Sequence, residues 1–504
     1  MSPTPTDRER DLQRAYLVAA ALLAVGMALE VAPPRDDGLR HVGLAFAETA
    51  RSWGQVYPFS RFEAHADYDP WGGYDLTLRG LAGLTGALPF PRLARQFIVV
   101  ELLQLLFVGT FMWLCVRRSR VAREIRDAPK LLLAIAVTSV VLIQPVLRMA
   151  LIRPFAFGTF LLLYSVGKTG LLRGLVSAAV AWFMYPYLAW MYAGPVVVAH
   201  LLRGSRSFAA GAALSSAAAL LLQPADFWQL VLELIVSDGV RASLDTQITE
   251  FAPLTQQKLL LLAIVLAAFL LVPRLPPGAR RLRVEHVMAL LFVPISFKYV
   301  RYVVDVQLPL LFVAHGADLV RALRPPLERT LSAWGPLLRP RSGDAAPPGP
   351  DAPARPPRGF RAALSLGYLV LALLLIGRLA AQHDRLSAQL GRLRPIPGGS
   401  RVLTAFNRQY EILYARPDLS IVPSCEIGFP ADSIREAYVG YINQGRVCTL
   451  ARRVGAAYYV DGRSLYLDPA DTDCLELISE DDHQRVWRVR RHPAGGPGPL
   501  PVSG

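Results

Sequence analysis

Cysteine is scarce and unpatterned in this chain. Its four cysteines, Cys115, Cys425, Cys448 and Cys474, form no CxxC pair and no Cys/His spacing suited to zinc, so no metal site is assigned. Charge is scarce too: 18% of residues are charged against 53% hydrophobic, and mean hydropathy is positive, which excludes an ordinary soluble domain. The net charge of +15 is no nucleic-acid signal, because the arginines cluster between apolar runs, where loops held on the cytoplasmic side carry them. No long internal repeat is present. Carboxylates are almost missing from the apolar runs, whereas ion-coupled transporters place acidic groups at mid-membrane.

What the chain has instead is membrane-spanning length, repeated. Apolar runs at 14–31, 97–116, 131–149, 155–167, 172–186, 187–202, 207–223, 258–273, 284–300, 302–320 and 363–380 give about eleven transmembrane helices. The basic segments 8–14, 117–130, 168–173, 203–206, 274–283 and 321–361 then all fall on one side. A multi-pass protein of the inner (plasma) membrane is expected, with a cytoplasmic N-terminus. Residues 14–31 read as a retained anchor, since Pro33 after Val31-Ala32 suits cleavage poorly.

The fold class that follows is a polytopic α-helical membrane protein with a small C-terminal extracytoplasmic α/β domain. Residues 1–322 form the multi-span core, with a first outer loop at 32–96. Residues 323–361 are a Pro- and Arg-rich cytoplasmic linker too poor in apolar residues to fold. A last span covers 362–381, an α/β domain 382–492, and a Gly/Pro-rich flexible tail 493–504. Strands are expected at 402–406, 457–460, 464–467, 475–477 and 485–489, and helices at 432–443 and 447–454. One disulfide among Cys425, Cys448 and Cys474 suits an oxidising compartment.

The first outer loop carries the densest chemistry. Asp36 and Asp37 adjoin the first span, and two adjacent carboxylates at a membrane surface are costly wherever any part of them is buried. After them Leu39, Val42, Phe46, Ala50 and Trp53 recur at helical steps, predicting an amphipathic helix lying on the membrane, with Arg40, Glu48 and Arg51 on its other faces. One aspartate suffices to cap that helix, and the second asks for another role. His41 falls one turn beyond Asp37. Further on, Asp69, Trp71 and Tyr74 interleave rings with a carboxylate, as a sugar site does and as an interfacial aromatic belt also does. Glu63, His65, Asp67 and Asp69 have the oxygen and nitrogen atoms to hold a divalent cation, but a solvated acidic loop explains them more simply, and no cofactor is expected.

Cations on the outer side run against the charge rule and call for an explanation. Arg153 follows the third span, and Lys298 and Arg301 sit three apart at a later outer turn. They suit a clamp for a phosphate leaving group, or snorkelling to lipid headgroups.

Together these residues resemble the GT-C superfamily of integral-membrane glycosyltransferases, of the polyprenyl-phosphate-sugar-dependent, mannosyltransferase- or arabinosyltransferase-like kind. The resemblance rests on Asp36-Asp37, the following surface helix, Arg153-Pro154, the Lys298/Arg301 turn and the small outer domain. It implies that Asp37 or Asp36 acts as base on an acceptor hydroxyl. It also implies that His41, Arg153, Lys298, Arg301, Trp71, Tyr74 and Asp69 contact substrate. The partners implied are a polyprenyl-phosphate-sugar donor, a lipid, glycan or protein acceptor, and membrane lipids, with no nucleic acid. The chain lacks a clear second metal-binding carboxylate motif, which favours a metal-independent monosaccharide transferase over the oligosaccharyltransferase type. A non-catalytic transporter or assembly protein of an envelope polysaccharide or lipid pathway is the alternative class.

Overall fold

A computed structural model describes residues 6–31, 36–59, 68–236, 282–298, 301–338, 391–404, 408–422, 444–461, 467–480 and 484–490, with scattered residues in 377–388 and 434–441. It is mainly helical. Helix α1 (Asp7–Val31) places Asp7 and Glu9 in its first turn, where carboxylates meet the positive end of the helix dipole. After a short α2 (Asp37–Ala45), α3 (Trp53–Val56) and α4 (Gly72–Thr85), helix α5 (Arg92–Ser119) runs back and ends on Arg117 and Arg118. Helix α6 (Ala128–Met149) starts at Asp127, whose side chain accepts from the Lys130 N–H at 2.9 Å. Helices α7 (Ala156–Ser165), α8 (Leu171–Met184), α9 (Pro186–Arg203), α10 (Arg206–Leu221) and α11 (Ala225–Val236) follow, then α12 (Val284–Leu291) and α13 (Val293–Lys298). A π-turn (Val303–Gln307) opens the long α14 (Leu308–Leu338). That helix continues past 322, where the linker was expected to begin.

Helix α1 packs against α5 and α6, and α14 against the same two, so four long helices share one core. The Tyr16 hydroxyl and Thr138 Oγ1, 2.8 Å apart, join α1 to α6, and Gln104 Nε2 donates to the Ala150 carbonyl at 2.7 Å. Among the described residues four helices are long and apolar enough to cross a membrane, or five if the α10–α11 pair, bent by 105°, counts as one span. Helices α7, α8 and the α12–α13 pair are apolar but shorter. The run at 258–273 lies outside the described residues, as does nearly all of 363–380, so about eleven spans stands as an expectation.

Carboxylates are less rare in the spans than expected. Asp305 is fully buried on the π-turn and takes a bidentate contact from Arg148 of α6, Nε–Oδ1 3.0 Å and Nη2–Oδ2 3.2 Å. Glu101, in α5, is also buried. In low dielectric such a carboxylate persists because a cation faces it, as Arg148 faces Asp305.

The C-terminal domain has a five-stranded sheet of order β2-β1-β3-β5-β4. Strands β1 (Arg401–Thr404), β2 (Ser420–Val422) and β3 (Tyr458–Asp461) are mutually parallel, while β4 (Leu475–Glu480) and β5 (Arg485–Val489) add an antiparallel edge. Helices α15 (Gln409–Ala415) and α16 (Val447–Val454) complete it. A Cys448–Cys474 disulfide ties α16 to the turn before β4. Cys425 and residues 464–466 of the strand expected at 464–467 lie outside the described residues, and Leu467 is not in a strand. Cys115 is a buried free thiol.

The largest departure concerns α2. The sequence predicts a helix lying on the membrane surface, yet Gly38 to Val42 and Gly43 are all buried, Arg40 completely. Helix α15 of the C-terminal domain covers it. A side chain at Gly43 would collide with the backbone of Leu413 and Tyr414, and one at Gly38 with the Leu151 carbonyl and the Ile152 side chain, so both faces of α2 lie against protein. The expected stripe holds for Leu39 and Val42, which protein covers; α2 ends at Ala45, Ala50 is exposed and Trp53 starts α3, so the helix is shorter than its periodicity predicts.

Candidate active site

Asp36 is the N-cap of α2, and its side chain accepts from the Asp37 N–H at 2.5 Å. The same oxygen takes Arg153 Nε at 2.7 Å and also Arg153 Nη2. Arg153 therefore answers Asp36 in this structure. Its position is set by a sharp turn at Ile152, whose φ is 49°. Positive φ is uncommon for a β-branched residue and stores strain. The Ile152 carbonyl accepts from the Tyr74 hydroxyl at 2.6 Å, which fixes Tyr74, a residue with 1% exposure.

Asp37 stands differently. Its Oδ1 lies 2.5 Å from Arg40 Nε and 3.8 Å from His41 Nε2, and its side chain keeps 14% exposure. Arg40 is held by aromatic faces: its guanidinium carbon lies 4.9 Å from the Trp53 ring, 4.8 Å from Trp71, 5.5 Å from Tyr57 and 5.9 Å from Tyr410. A guanidinium among π-faces is stabilised without losing its charge. Tyr410 comes from the C-terminal domain, which therefore completes this wall.

His41 Nδ1 and Asp75 Oδ1 are 2.6 Å apart. The ring meets Trp53, Trp71 and Tyr74 edgewise at 5.2, 5.0 and 5.3 Å. Asp75 and three rings thus orient the imidazole so that Nε2 is turned toward Asp37. Asp69 accepts from Trp53 Nε1 at 3.1 Å and from the Trp71 N–H at 2.9 Å. Burial, with the charge of Asp75 adding, pushes its carboxyl up to about 6 against those two hydrogen bonds.

Arg301 lies just before the π-turn. It is 8% exposed, donates to the Tyr302 hydroxyl at 3.2 Å and lies 5.0 Å over that ring. It also hydrogen-bonds the Tyr185 hydroxyl, at the break between α8 and α9. Lys298 ends α13, and its side chain lies outside the described residues.

Of the residues picked from the sequence, Asp36, Asp37, His41, Asp69, Trp71, Tyr74 and Arg153 converge on one place, while Arg301 sits with Tyr302 and Tyr185. Trp71 and Tyr74 pack around Arg40, His41 and the Ile152 carbonyl, and are mostly buried, so neither offers an open ring face. Asp75, Arg40, Trp53 and Tyr185 were not singled out. The (i, i+3) spacing of Asp37 and Arg40 was a usable signal for that pair; nothing in the sequence pointed to Tyr410. Among the described residues the one cluster with metal-ligating atoms close together is Cys448, Asp473 and Cys474, and its sulfurs are joined in the disulfide. Glu63, His65 and Asp67 lie outside the described residues. A polar cleft of about 870 Å³ opens between the segment 49–58 and the C-terminal domain, with Arg51, Gln55, Arg401 and Asp418 on its walls.

No family model matches this chain, and no curated protein does. Among solved structures 14 chains match. One is the crystal structure of the Archaeoglobus fulgidus oligosaccharyltransferase tethered with an acceptor peptide containing the NVT sequon via a disulfide bond. The similarity has a TM-score of 0.48 at 10% identity, covering 89% of this chain and 69% of that chain.

Proposed function

We propose that this protein is a membrane glycosyltransferase that moves a sugar from a polyprenyl-phosphate donor to a hydroxyl of a lipid, glycan or protein acceptor on the extracytoplasmic side. The observation that carries the reading is a partly exposed carboxylate, Asp37, held by Arg40 and His41 in a wall of aromatic rings, in a chain that also buries a cation, Arg301, just before the π-turn. Such a transfer needs those two groups. The acceptor hydroxyl attacks the anomeric carbon and its proton passes to Asp37. The bond from that carbon to the phosphate oxygen breaks, and Arg301, with Lys298 beside it in sequence, balances the phosphate charge that develops. Attack opposite the leaving group inverts the anomeric centre. Asp36, held by the helix start and by Arg153, is the positioning member of the acidic pair. The polar cleft beside the C-terminal domain suits a hydroxylated acceptor.

Ion-coupled transport is the second reading, and the buried Arg148–Asp305 pair is what favours it. The two groups satisfy each other bidentately, which suits a structural tie better than a carrier that must release its ion.

The test is transfer from a panel of labelled polyprenyl-phosphate sugars by the purified protein and its variants. Asp37→Asn keeps the shape and removes the base, so transfer should fall by about 10²–10⁴-fold. Asp36→Asn keeps a competent cap and should retain most activity. Arg301→Ala should weaken donor use at least tenfold, as expected when a charge-assisted contact worth about 1.5–3 kcal/mol is lost. Parent-like transfer by Asp37→Asn would remove the enzymatic reading.

A further inference from the structure

Far from the acidic loop, α1 and α5 leave a groove of about 510 Å³ between them. Its floor is made of small residues, Ala20 and Ala24 on α1 and Gly109 on α5. At Gly109 an added Cβ would meet nothing within 4 Å, so the groove is open there. Its rim is apolar and outward-facing: Leu17 is 50% exposed and Trp113 53%. Leu17 to Val25 of α1 and Leu105 to Val116 of α5 line the groove. Eight residues of helix rise about 12 Å, close to the depth of one leaflet of a hydrocarbon core about 30 Å thick.

One end of this apolar groove is cationic. Arg117, Arg120 and Arg123 line it, and all three are exposed. Arg120 has a φ of 59°, an uncommon left-handed turn that ends α5 and brings Arg123 back to the same end as Arg117. Arg117 lies 4.9 Å over the Trp113 ring, a pairing suited to the headgroup level. The nearest acidic residue in sequence, Glu124, is engaged by Arg321 at 3.3 Å. Among the described residues none of the three arginines forms an ion pair with a carboxylate.

We infer that this groove is a binding site for an anionic diacyl phospholipid, one acyl chain lying between α1 and α5 and the phosphate held by Arg117, Arg120 and Arg123. Apolar side chains in a groove one leaflet deep match an acyl chain, and three arginines at its mouth match an anionic headgroup. A polyprenyl phosphate, with a chain longer than one leaflet, fits the depth less well. The site is independent of the transfer chemistry.

Native mass spectrometry of the purified full chain tests this, with phosphatidylglycerol, phosphatidylcholine or a long polyprenyl phosphate added in turn. Phosphatidylglycerol should be retained about tenfold or more over phosphatidylcholine. The double variant Arg117→Gln with Arg123→Gln should lose that preference, whereas Arg117→Lys with Arg123→Lys should largely keep it. Gly109→Leu points into open space, so it should fill the groove and abolish retention without shifting thermal unfolding in detergent. Equal retention of the two phospholipids would overturn the proposal, as would unchanged retention in Gly109→Leu, or binding of the polyprenyl phosphate alone.

Discussion

Asp36 and Asp37 share a peptide bond and little else. Asp36 caps α2 and meets Arg153, whereas Asp37 faces Arg40 and the imidazole of His41. Two further carboxylates lend themselves to measurement. Asp69, raised to about 6, binds more protons folded than unfolded between its ordinary value and that pH. Stability should therefore be full below pH about 4 and fall as pH rises toward about 6. Asp69→Asn still accepts from Trp53 and Trp71, and should raise the unfolding temperature at pH 7.5 while changing it little at pH 4. An equal shift at both pH values would deny the titration. Asp305→Ala leaves Arg148 in low dielectric without its carboxylate and should cost about 3–5 kcal/mol. Replacing both partners by apolar residues of similar volume should cost less, and detergent thermal unfolding of the three variants separates the cases.

At the scale of elements, the site depends on how α2 is enclosed. Gly43 lets α15 approach, and Arg51 Nη1 donates to the Pro417 and Leu419 carbonyls at 2.9 and 2.6 Å, while Gln96 Nε2 donates to the Tyr414 carbonyl at 3.0 Å. These contacts carry Tyr410 to the face of Arg40. Gly43→Leu should push α15 off α2, open protease cleavage between the spans and the C-terminal domain, and lower transfer although no reacting group is changed. Gly80 of α4 has nothing within 4 Å of an added Cβ, so Gly80→Leu serves as a control that should leave cleavage and transfer as in the parent.

For the molecule as a whole, the basic clusters make a topological statement. Placing the arginines after α5 and beyond α14 on one side predicts that the C-terminal domain stands on the other, reached by a further crossing between residues 340 and 400. Reporter fusions at those two positions should report opposite sides of the membrane. Finding them on the same side would eliminate that crossing and put the C-terminal domain where a donor made available outside could not meet it.

Long helices, the α/β character of the C-terminal part and a disulfide among its cysteines were readable from the sequence, because each rests on local hydropathy, alternation or residue type. Arg92–Ser119 and Ala128–Met149 are apolar over a full span whatever surrounds them, and Val447–Val454 shows its buried face in its own periodicity. The convergence of Asp36, Asp37, His41 and Arg153 was readable only as a list. Periodicity marks one face of α2 as apolar, but lipid and protein cover such a face equally well, so the burial of Arg40 and His41 beneath α15 had no local signal. The partnerships of His41 with Asp75, of Arg148 with Asp305 and of Arg301 with Tyr185 join residues far apart along the chain. They arise from helix packing, which pairs a buried charge with whatever the neighbouring helix presents, and that pairing was decided by the tertiary structure alone.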